Sequence, residues 1–112
     1  MYKERLKDIE RIILPSEMNY STHVYHQFTL IVKEKRDELK QFLADNGIPA
    51  QIYYPLPISE QEAYRDIVRK PVPLDNSYYL ADHVLSLPMH TELTEAQIEY
   101  IASSIKDYFK NN

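Results

Sequence analysis

Apolar residues recur at helical spacing near the C-terminal end of the chain. Those that fall on one side of a helix are Ile98, Ile101, Ala102, Ile105, Tyr108 and Phe109. Thr94 and Gln97 stand at the beginning of this stripe with the spacing of a capping box, in which each residue satisfies a free backbone N–H of the first turn. The pattern therefore predicts a helix that begins near Thr94 and packs one side into the core.

A second apolar stripe lies at the N-terminal end. Tyr2, Leu6, Ile9 and Ile13 recur at helical spacing, and charged residues surround them. This pattern predicts an amphipathic helix that ends before Pro15, because the residue before a proline is driven out of the helical region. The stripe needs a partner, so we expect this helix to be the least stable one in the isolated chain.

Alternation of apolar and polar residues indicates strands over residues 23–32, 48–54 and 84–87. His23 and His26 fall on opposite faces of the first strand, which makes them a poor pair of metal ligands. We expect His26 to be a half-buried histidine that makes a hydrogen bond.

Between the strands, helical periodicity predicts helices over residues 35–46, 59–68 and 75–83, with Leu80 facing inward in the last of them. Gly47 follows the first of these helices, at the position where a left-handed residue commonly ends a helix. The fold class expected from these elements is α+β, a small sheet of about three strands covered by helices. The first strand, the helix after it and the second strand form a crossover unit, right-handed if the two strands are parallel neighbours.

Composition narrows the functional classes. The chain has 112 residues, which is enough for one domain with one modest core. It has no cysteine, so disulfide scaffolds and cysteine-based metal or redox sites are excluded. A formal charge of −4 with both signs mixed argues against nucleic acid as a partner. No apolar run is long enough to span a membrane and the N-terminus lacks the apolar region of a signal peptide, so we expect a cytoplasmic protein with no membrane partner.

The segment Ile52–Tyr64 is the candidate binding loop. Tyr53 and Tyr54 stand at a predicted strand end, and two prolines then stiffen the chain, an arrangement typical of binding loops on a rigid scaffold. The alternative for both tyrosines is a core edge with a hydrated hydroxyl. Gln61 is either an exposed residue of a helical first turn or a substrate contact. Ser59 and Glu62 have capping-box spacing, which accounts for Ser59 as a helix cap.

The same loop resembles part of a known family. Tyr54-Pro55-Leu56-Pro57, followed by Gln61, Ala63 and Tyr64, is similar to the small-domain loop of the DegT/DnrJ/EryC1/StrS family of PLP-dependent sugar aminotransferases. Further blocks that resemble the family occur in the family's order, at residues 23–28, 36–39, 46–48 and 85–97. The ordered set covers roughly positions 20 to 108 and is more specific than any one block.

The resemblance implies the C-terminal small domain of such an enzyme. Residues 1–15 would be the end of a helix that connects the large and small domains, and residues 16–112 the small domain itself. Tyr53, Tyr54 and Gln61 would contribute to the substrate wall for a sugar nucleotide. The family often has a histidine where this chain has Ser59, which leaves a ligand role at that position in doubt.

The resemblance also implies what lies outside the chain. The cofactor PLP needs a lysine that bonds to it, a partner for its ring nitrogen and a phosphate cradle, and the family carries these on the large domain. Four lysines, Lys33, Lys35, Lys40 and Lys70, do not match the family's lysine motif. We therefore expect no catalytic residue, no cofactor-binding residue and no metal ligand in this chain. The implied partners are the large domain, a second copy in a family-like homodimer, a sugar nucleotide and an amino-acid donor.

The sequence is compatible with two functions that belong to different functional classes. In the first, the chain is the small-domain part of an aminotransferase that acts on keto-sugar nucleotides, inactive without its large domain. In the second, it is a free-standing, non-catalytic binding or assembly module with the same fold. The sequence leaves open which sugar nucleotide is used, the oligomeric state, and whether the parent is an aminotransferase or a related dehydratase.

Overall fold

The computed structural model describes all residues from Met1 to Asn112. The elements in chain order are α1 (Tyr2–Leu6), β1 (Ile12–Ile13), β2 (Phe28–Val32), α2 (Arg36–Asp45), α3 (Asp75–His83), β3 (Val84–Leu87) and α4 (Glu95–Asn111). A short 3₁₀ turn, Ile58–Glu60, lies in the long connection between α2 and α3. The α+β class with a three-stranded sheet is confirmed.

The sheet is antiparallel, with the strand order β1-β2-β3. Residues 48–54, predicted as a strand, pair with the sheet only at Gln51, which forms an isolated antiparallel bridge with Ser86 of β3. The predicted crossover is therefore wrong in one respect. The segment runs parallel to β2, but β3 lies between them. Pro49 has no N–H to give, and the chain turns at Tyr54, so a longer ladder does not form.

One face of the sheet carries the core. Phe28, Leu30 and Val32 of β2 alternate toward this face, and α2 and α4 pack against it. The apolar stripe of α4 is buried as predicted, except that Phe109 lies at the edge of the core. The predicted capping box is also present. Thr94 Oγ1 accepts from the Gln97 N–H at 3.2 Å, and the Thr94 N–H donates to Gln97 Oε1 at 2.9 Å.

The N-terminal helix is shorter than predicted. It ends at Leu6, and after two turns the chain extends so that Ile12 and Ile13 pair with the free edge of β2. Two adjacent β-branched residues favour this extended pairing over a continued helix. The predicted stripe is therefore divided between a helix and a strand.

This end of the chain nevertheless packs well, because α4 supplies the partner that its apolar side requires. Tyr2 and Leu6 are buried, and the Tyr2 hydroxyl donates to the Pro88 carbonyl at 2.9 Å. The Arg5 guanidinium donates to the carboxylates of Glu95 at 2.8 Å and Glu99 at 2.5 Å on α4. These contacts fasten α1 to the last helix within this domain.

Burial raises the pKa of Tyr2 to about 12, from an ordinary value of 10.0. A raised pKa means that the neutral phenol stabilises the fold fully below pH 10.0, and that this contribution is lost as the pH rises toward about 12. We expect Tyr2→Phe to lower the free energy of unfolding by about 1 kcal/mol near neutral pH, through the lost hydrogen bond. In denaturant titrations at about pH 11, the deficit relative to wild type should shrink or reverse. Tyr20→Phe, at an exposed position, is the control and should show neither effect.

The first predicted strand is shorter than expected as well. Residues 23–27 lie outside β2, Val24 is 88% exposed, and His26 is exposed rather than half-buried. Tyr25 has a φ of +48°, and its N–H donates to His23 Nδ1 at 2.9 Å, which makes a local turn. The pairing partner β3 ends at Leu87 because Pro88 follows it, so no ladder is available to extend β2 backward.

The predictions for α2, α3 and β3 agree with the structure. Gly47 has a φ of +72°, the left-handed conformation expected at the end of α2. Leu80 is an exception, since it is 42% exposed and the buried residue of α3 is Ala81. Arg36 at the start of α2 donates to the carbonyls of Ala81 and Val84, both at 3.0 Å, and so fixes the end of α3 beside β3.

Candidate functional site

A groove lies against the face of the sheet that turns away from the core. Its volume is about 680 Å³, within the range of small-molecule sites. The floor is made by Thr29 and Ser86, which alternate with the core residues of their strands. One wall is α3, with Leu80 and Ala81. The other is the connection that follows Ile52, and its lining residues are Tyr53, Tyr54, Leu56, Pro57, Ile58 and Ser59.

The floor of this groove, called the sheet-face groove below, has one hydroxyl hydrogen that is not used in a hydrogen bond within the chain. Thr29 Oγ1 and Ser86 Oγ lie 2.7 Å apart and share one hydrogen bond, in which either oxygen can donate. Two hydroxyls carry two hydrogens, so one hydrogen remains for another acceptor. The pair can therefore donate to a ligand oxygen without losing its own bond.

Ser59 provides a second hydroxyl without a partner. It is only 4% exposed, and its Oγ makes no hydrogen bond in the chain. Leaving a buried hydroxyl unsatisfied costs about 1–3 kcal/mol, and this hydroxyl lies beside the groove.

The predicted capping role of Ser59 is wrong, and so is the predicted helix over residues 59–68. Ile58–Glu60 form a 3₁₀ turn with no side-chain cap, and Gln61 is extended at φ −70° and ψ 134°. A residue in that conformation interrupts a helix, so residues 61–68 form separate turns. The Ser-x-x-Glu spacing occurred without the backbone that a capping box requires.

Tyr53 and Tyr54 both line the groove. Tyr53 is 43% exposed and Tyr54 is 82% exposed. Tyr54 has a φ of +59°, a left-handed conformation that is unfavourable for a residue with a β-carbon. Strained backbone of this kind concentrates at functional sites. The structure therefore brings the two tyrosines to the groove, and their role as substrate contacts stays a prediction.

Gln61, the third predicted contact, is not among the lining residues of the groove. Its carbonyl accepts from the N–H groups of Tyr64 and Arg65, both at 3.0 Å, and its own N–H donates to the Ile58 carbonyl at 3.1 Å. These bonds shape the turn after Ser59. A contact between Gln61 and substrate also stays a prediction.

The edge of the groove carries an ionic cluster. Hydrogen bonds from Lys70 and from the Tyr78 hydroxyl lower the pKa of the Glu60 carboxyl from its ordinary value of 4.5. The bond to Glu60 in turn raises the pKa of Lys70 above 10.5. A lowered acid pKa means that the contact is present above about pH 4.5 and is lost as the pH falls through the lowered value. The raised pKa of Lys70 means that the contact is lost at high pH only as the pH rises through the raised value. The cluster is therefore present across the neutral range.

The residues of the groove and its edge do not fit the role of covalent anchor for PLP. No lysine lines the groove, and Lys70 at its edge holds its proton more firmly than an ordinary lysine. A lysine that bonds to a cofactor carbonyl must instead be available as a neutral amine. No cluster of three or more histidine, aspartate or glutamate side chains is arranged to hold a metal ion, and none of the helices has the length and apolar character needed to cross a bilayer.

The sequence prediction missed three parts of the groove. They are the hydroxyl pair on its floor, the burial of Ser59 and the wall made by α3. A signal for the first was present, since Thr29 and Ser86 are the polar residues in otherwise apolar strands. The other two depend on how the connection folds back over the sheet, which no local pattern encodes.

The backbone of Tyr54 leads to a testable prediction. Asparagine adopts the left-handed conformation more readily than tyrosine, and the exposed side chain loses little burial when it is replaced. We expect Tyr54→Asn to raise the free energy of unfolding of the isolated chain by about 0.5–1 kcal/mol, measured by urea denaturation. The control is Tyr53→Asn, since Tyr53 is not in the left-handed region. A loss of stability in Tyr54→Asn would show that the Tyr54 ring packs against the domain.

Curated relatives match nearly the whole chain but only part of their own length. The "Pleiotropic regulatory protein" of Geobacillus stearothermophilus is 37% identical over 100 residues, covering 89% of this chain and 27% of the relative. The UDP-N-acetyl-3-dehydro-alpha-D-glucosamine 3-aminotransferase of Acidithiobacillus ferrooxidans is 37% identical over 105 residues, covering 94% of this chain and 27% of the relative. The chain thus spans little more than a quarter of the length of these proteins.

Solved structures and family comparison agree with these relatives. A DegT DnrJ EryC1 StrS aminotransferase from Brucella abortus superposes with a TM-score of 0.86 at 36% identity, covering 96% of this chain and 28% of that one. The family model described as "DegT/DnrJ/EryC1/StrS aminotransferase family" matches residues 1–106. The chain therefore belongs to the DegT/DnrJ/EryC1/StrS aminotransferase family.

Proposed function

We propose that this chain acts as the small-domain part of a PLP-dependent aminotransferase whose substrates are keto-sugar nucleotides and an amino-acid donor such as glutamate. The observation that carries this proposal is the sheet-face groove, where Tyr53 and Tyr54 stand beside hydroxyls that have no full set of partners. A sugar ring combines apolar ring faces with several oxygens, and a largely apolar groove with a few polar groups suits it. The family membership supports the reaction class.

In this proposal the chain binds and orients the sugar, and the cofactor chemistry lies elsewhere. PLP supplies the electron sink for amino transfer when it is bound. A large domain would hold the cofactor and face this wall, and the absence of a lysine from the groove lining is consistent with that division. A second copy of the assembled enzyme is the further partner we propose, in a family-like homodimer. Residues 1–15 would then lead from the large domain into this one.

A chimera tests the proposal. The large domain of the Brucella abortus relative is joined to this chain in place of its own small domain, since the two small domains superpose closely. We expect amino transfer from glutamate to a keto-sugar nucleotide. Tyr53→Ala and Tyr54→Ala should each raise KM for the sugar nucleotide by about tenfold, as expected for the loss of about 1.4 kcal/mol of binding. PLP absorbance should be unchanged.

The matched control is Tyr20→Ala, because Tyr20 is as exposed as Tyr54, at 82%, and does not line the groove. It should leave KM unchanged. If the tyrosine variants instead weaken PLP binding and spare KM, the loop belongs to the cofactor side. If the chimera folds and holds PLP but transfers no amino group to any keto-sugar nucleotide tried, the chain is not a substrate wall, and the non-catalytic module becomes the better explanation.

A further inference from the structure

Three side chains at the edge of the sheet-face groove hydrogen-bond to one another. Lys70 Nζ donates to Glu60 Oε1 at 2.6 Å and to the Tyr78 hydroxyl oxygen at 3.1 Å. The Tyr78 hydroxyl donates to the same Glu60 oxygen. The Lys70 ammonium also lies 5.8 Å from the centre of the Tyr78 ring, within range of a cation–π contact. Each member of the cluster thus contacts both of the others.

The cluster joins separate parts of the groove wall. Glu60 directly follows Ser59 in the 3₁₀ turn, and Tyr78 directly follows Ser77 in α3. Both serines line the groove. Lys70 lies in the connection between these two elements. The cluster therefore ties both ends of this connection to α3, at the edge of the groove.

Few other bonds hold the connection in place. We refer to residues 55–74 as the cover segment. Its backbone bonds are local, such as Arg65 N–H to the Gln61 carbonyl at 3.0 Å and Val68 N–H to the Tyr64 carbonyl at 2.9 Å. The Arg65 guanidinium makes a long bond of 3.4 Å to the Glu60 carbonyl. A long connection with only local bonds opens easily, because ordering it costs conformational entropy.

We propose that Glu60, Lys70 and Tyr78 form a latch that holds the cover segment against α3 and so fixes the groove wall that contains Ser59. The three are positioning residues, since none of them lines the groove. The latch is a property of this chain alone, whereas its effect on substrate rests on the proposed function. Opening the latch releases the wall while the core beneath the other face of the sheet stays folded.

Hydrogen exchange of the isolated chain at neutral pH tests the latch. We expect Glu60→Gln, Lys70→Met and Tyr78→Phe each to speed amide exchange in residues 60–68 by about three- to tenfold, the effect of losing an exposed hydrogen bond of ordinary net strength from a locally opening segment. Exchange in α4 should stay at the wild-type rate. Because all three variants break the same cluster, the effect of Glu60→Gln combined with Tyr78→Phe should be smaller than the sum of the single effects.

Each variant has a matched control in the chain. Tyr79→Phe removes the neighbouring hydroxyl on α3, Glu62→Gln neutralises a nearby carboxylate and Lys40→Met removes an ammonium on α2. None of these groups takes part in the cluster. Exchange in residues 60–68 that is equal in latch and control variants would overturn the proposal. A variant that speeds exchange in α4 as much as in residues 60–68 destabilises the whole domain, and it contradicts the latch for that variant. In that case Tyr78→Phe, which keeps the aromatic ring, decides whether the latch exists.

The chimera separates the latch from the proposed function. There, Tyr78→Phe should raise KM for the sugar nucleotide by about three- to tenfold with kcat unchanged, because a looser wall weakens substrate binding. Tyr79→Phe should not. Faster loop exchange with an unchanged KM would show that the latch does not position a substrate wall. The Tyr53→Ala and Tyr54→Ala variants report on the proposed function independently of this result.

Discussion

Ile105→Asp is expected to unfold the isolated chain. Ile105 is completely buried on the inner side of α4, next to Ala102, which is buried as well. A carboxylate at this position loses its water and finds no partner, and even the protonated acid leaves a cavity and an unsatisfied hydroxyl. The cost is several kcal/mol, against a total stability of about 5–15 kcal/mol for a domain of ordinary stability. Circular dichroism should show loss of the cooperative thermal transition.

The control for this variant is Ala96→Asp. Ala96 is exposed in the first turn of the same helix, where a carboxylate stays in water and interacts favourably with the free N–H groups. It should melt within a few degrees of the wild type. A cooperative melt of Ile105→Asp close to that of Ala96→Asp would show that α4 can leave the core without unfolding the domain.

The isolated chain mixed with PLP is expected to form no stoichiometric adduct at a single lysine. Borohydride trapping followed by peptide mapping should instead find low, scattered modification of exposed lysines. Lys70 should be among the least modified, because its ammonium is held by Glu60 and Tyr78 and its pKa is raised. With glutamate and a keto-sugar nucleotide added, we expect no amino transfer. The groove has no lysine to bond to the cofactor, and contacts on one wall alone offset little of the entropy lost when a small ligand is captured.

The full-length Brucella abortus relative, treated in the same way, provides the positive control for the trapping chemistry. One fully modified lysine in the isolated chain, accompanied by amino transfer from glutamate, would contradict the expectation and with it the division of roles between two domains. Glu60→Gln should raise the modification of Lys70 alone, since it removes the carboxylate that holds the ammonium. That change would connect the reactivity of Lys70 to the latch.

The elements that the sequence predicted well are those whose signals are local. The capping box of Thr94 and Gln97 and the long apolar stripe after it specify α4, since both operate within a few turns of one helix. Gly47 ends α2 because the left-handed conformation there favours a residue without a β-carbon.

The elements that were predicted wrongly depend on distant partners. Ile13 has helical spacing from Ile9, but the open edge of β2 was available, and the strand formed instead. Residues 48–54 alternate like a strand, but they meet β3 only at Gln51, where the edge is short. In each case the local sequence pattern was compatible with two backbone structures. Pairing with a strand far along the chain determined which of the two formed.

The sequence by itself determined α2, α3, α4, the third strand, the fold class and the family, because caps, periodicity and turn residues act over short distances and the family motifs occur in order. Only the tertiary structure decided the site. Folding of the cover segment over the sheet buries Ser59 and brings Glu60 to Tyr78. Those outcomes depend on contacts between residues many positions apart, which are set when the whole chain packs and not by the neighbours of any one residue.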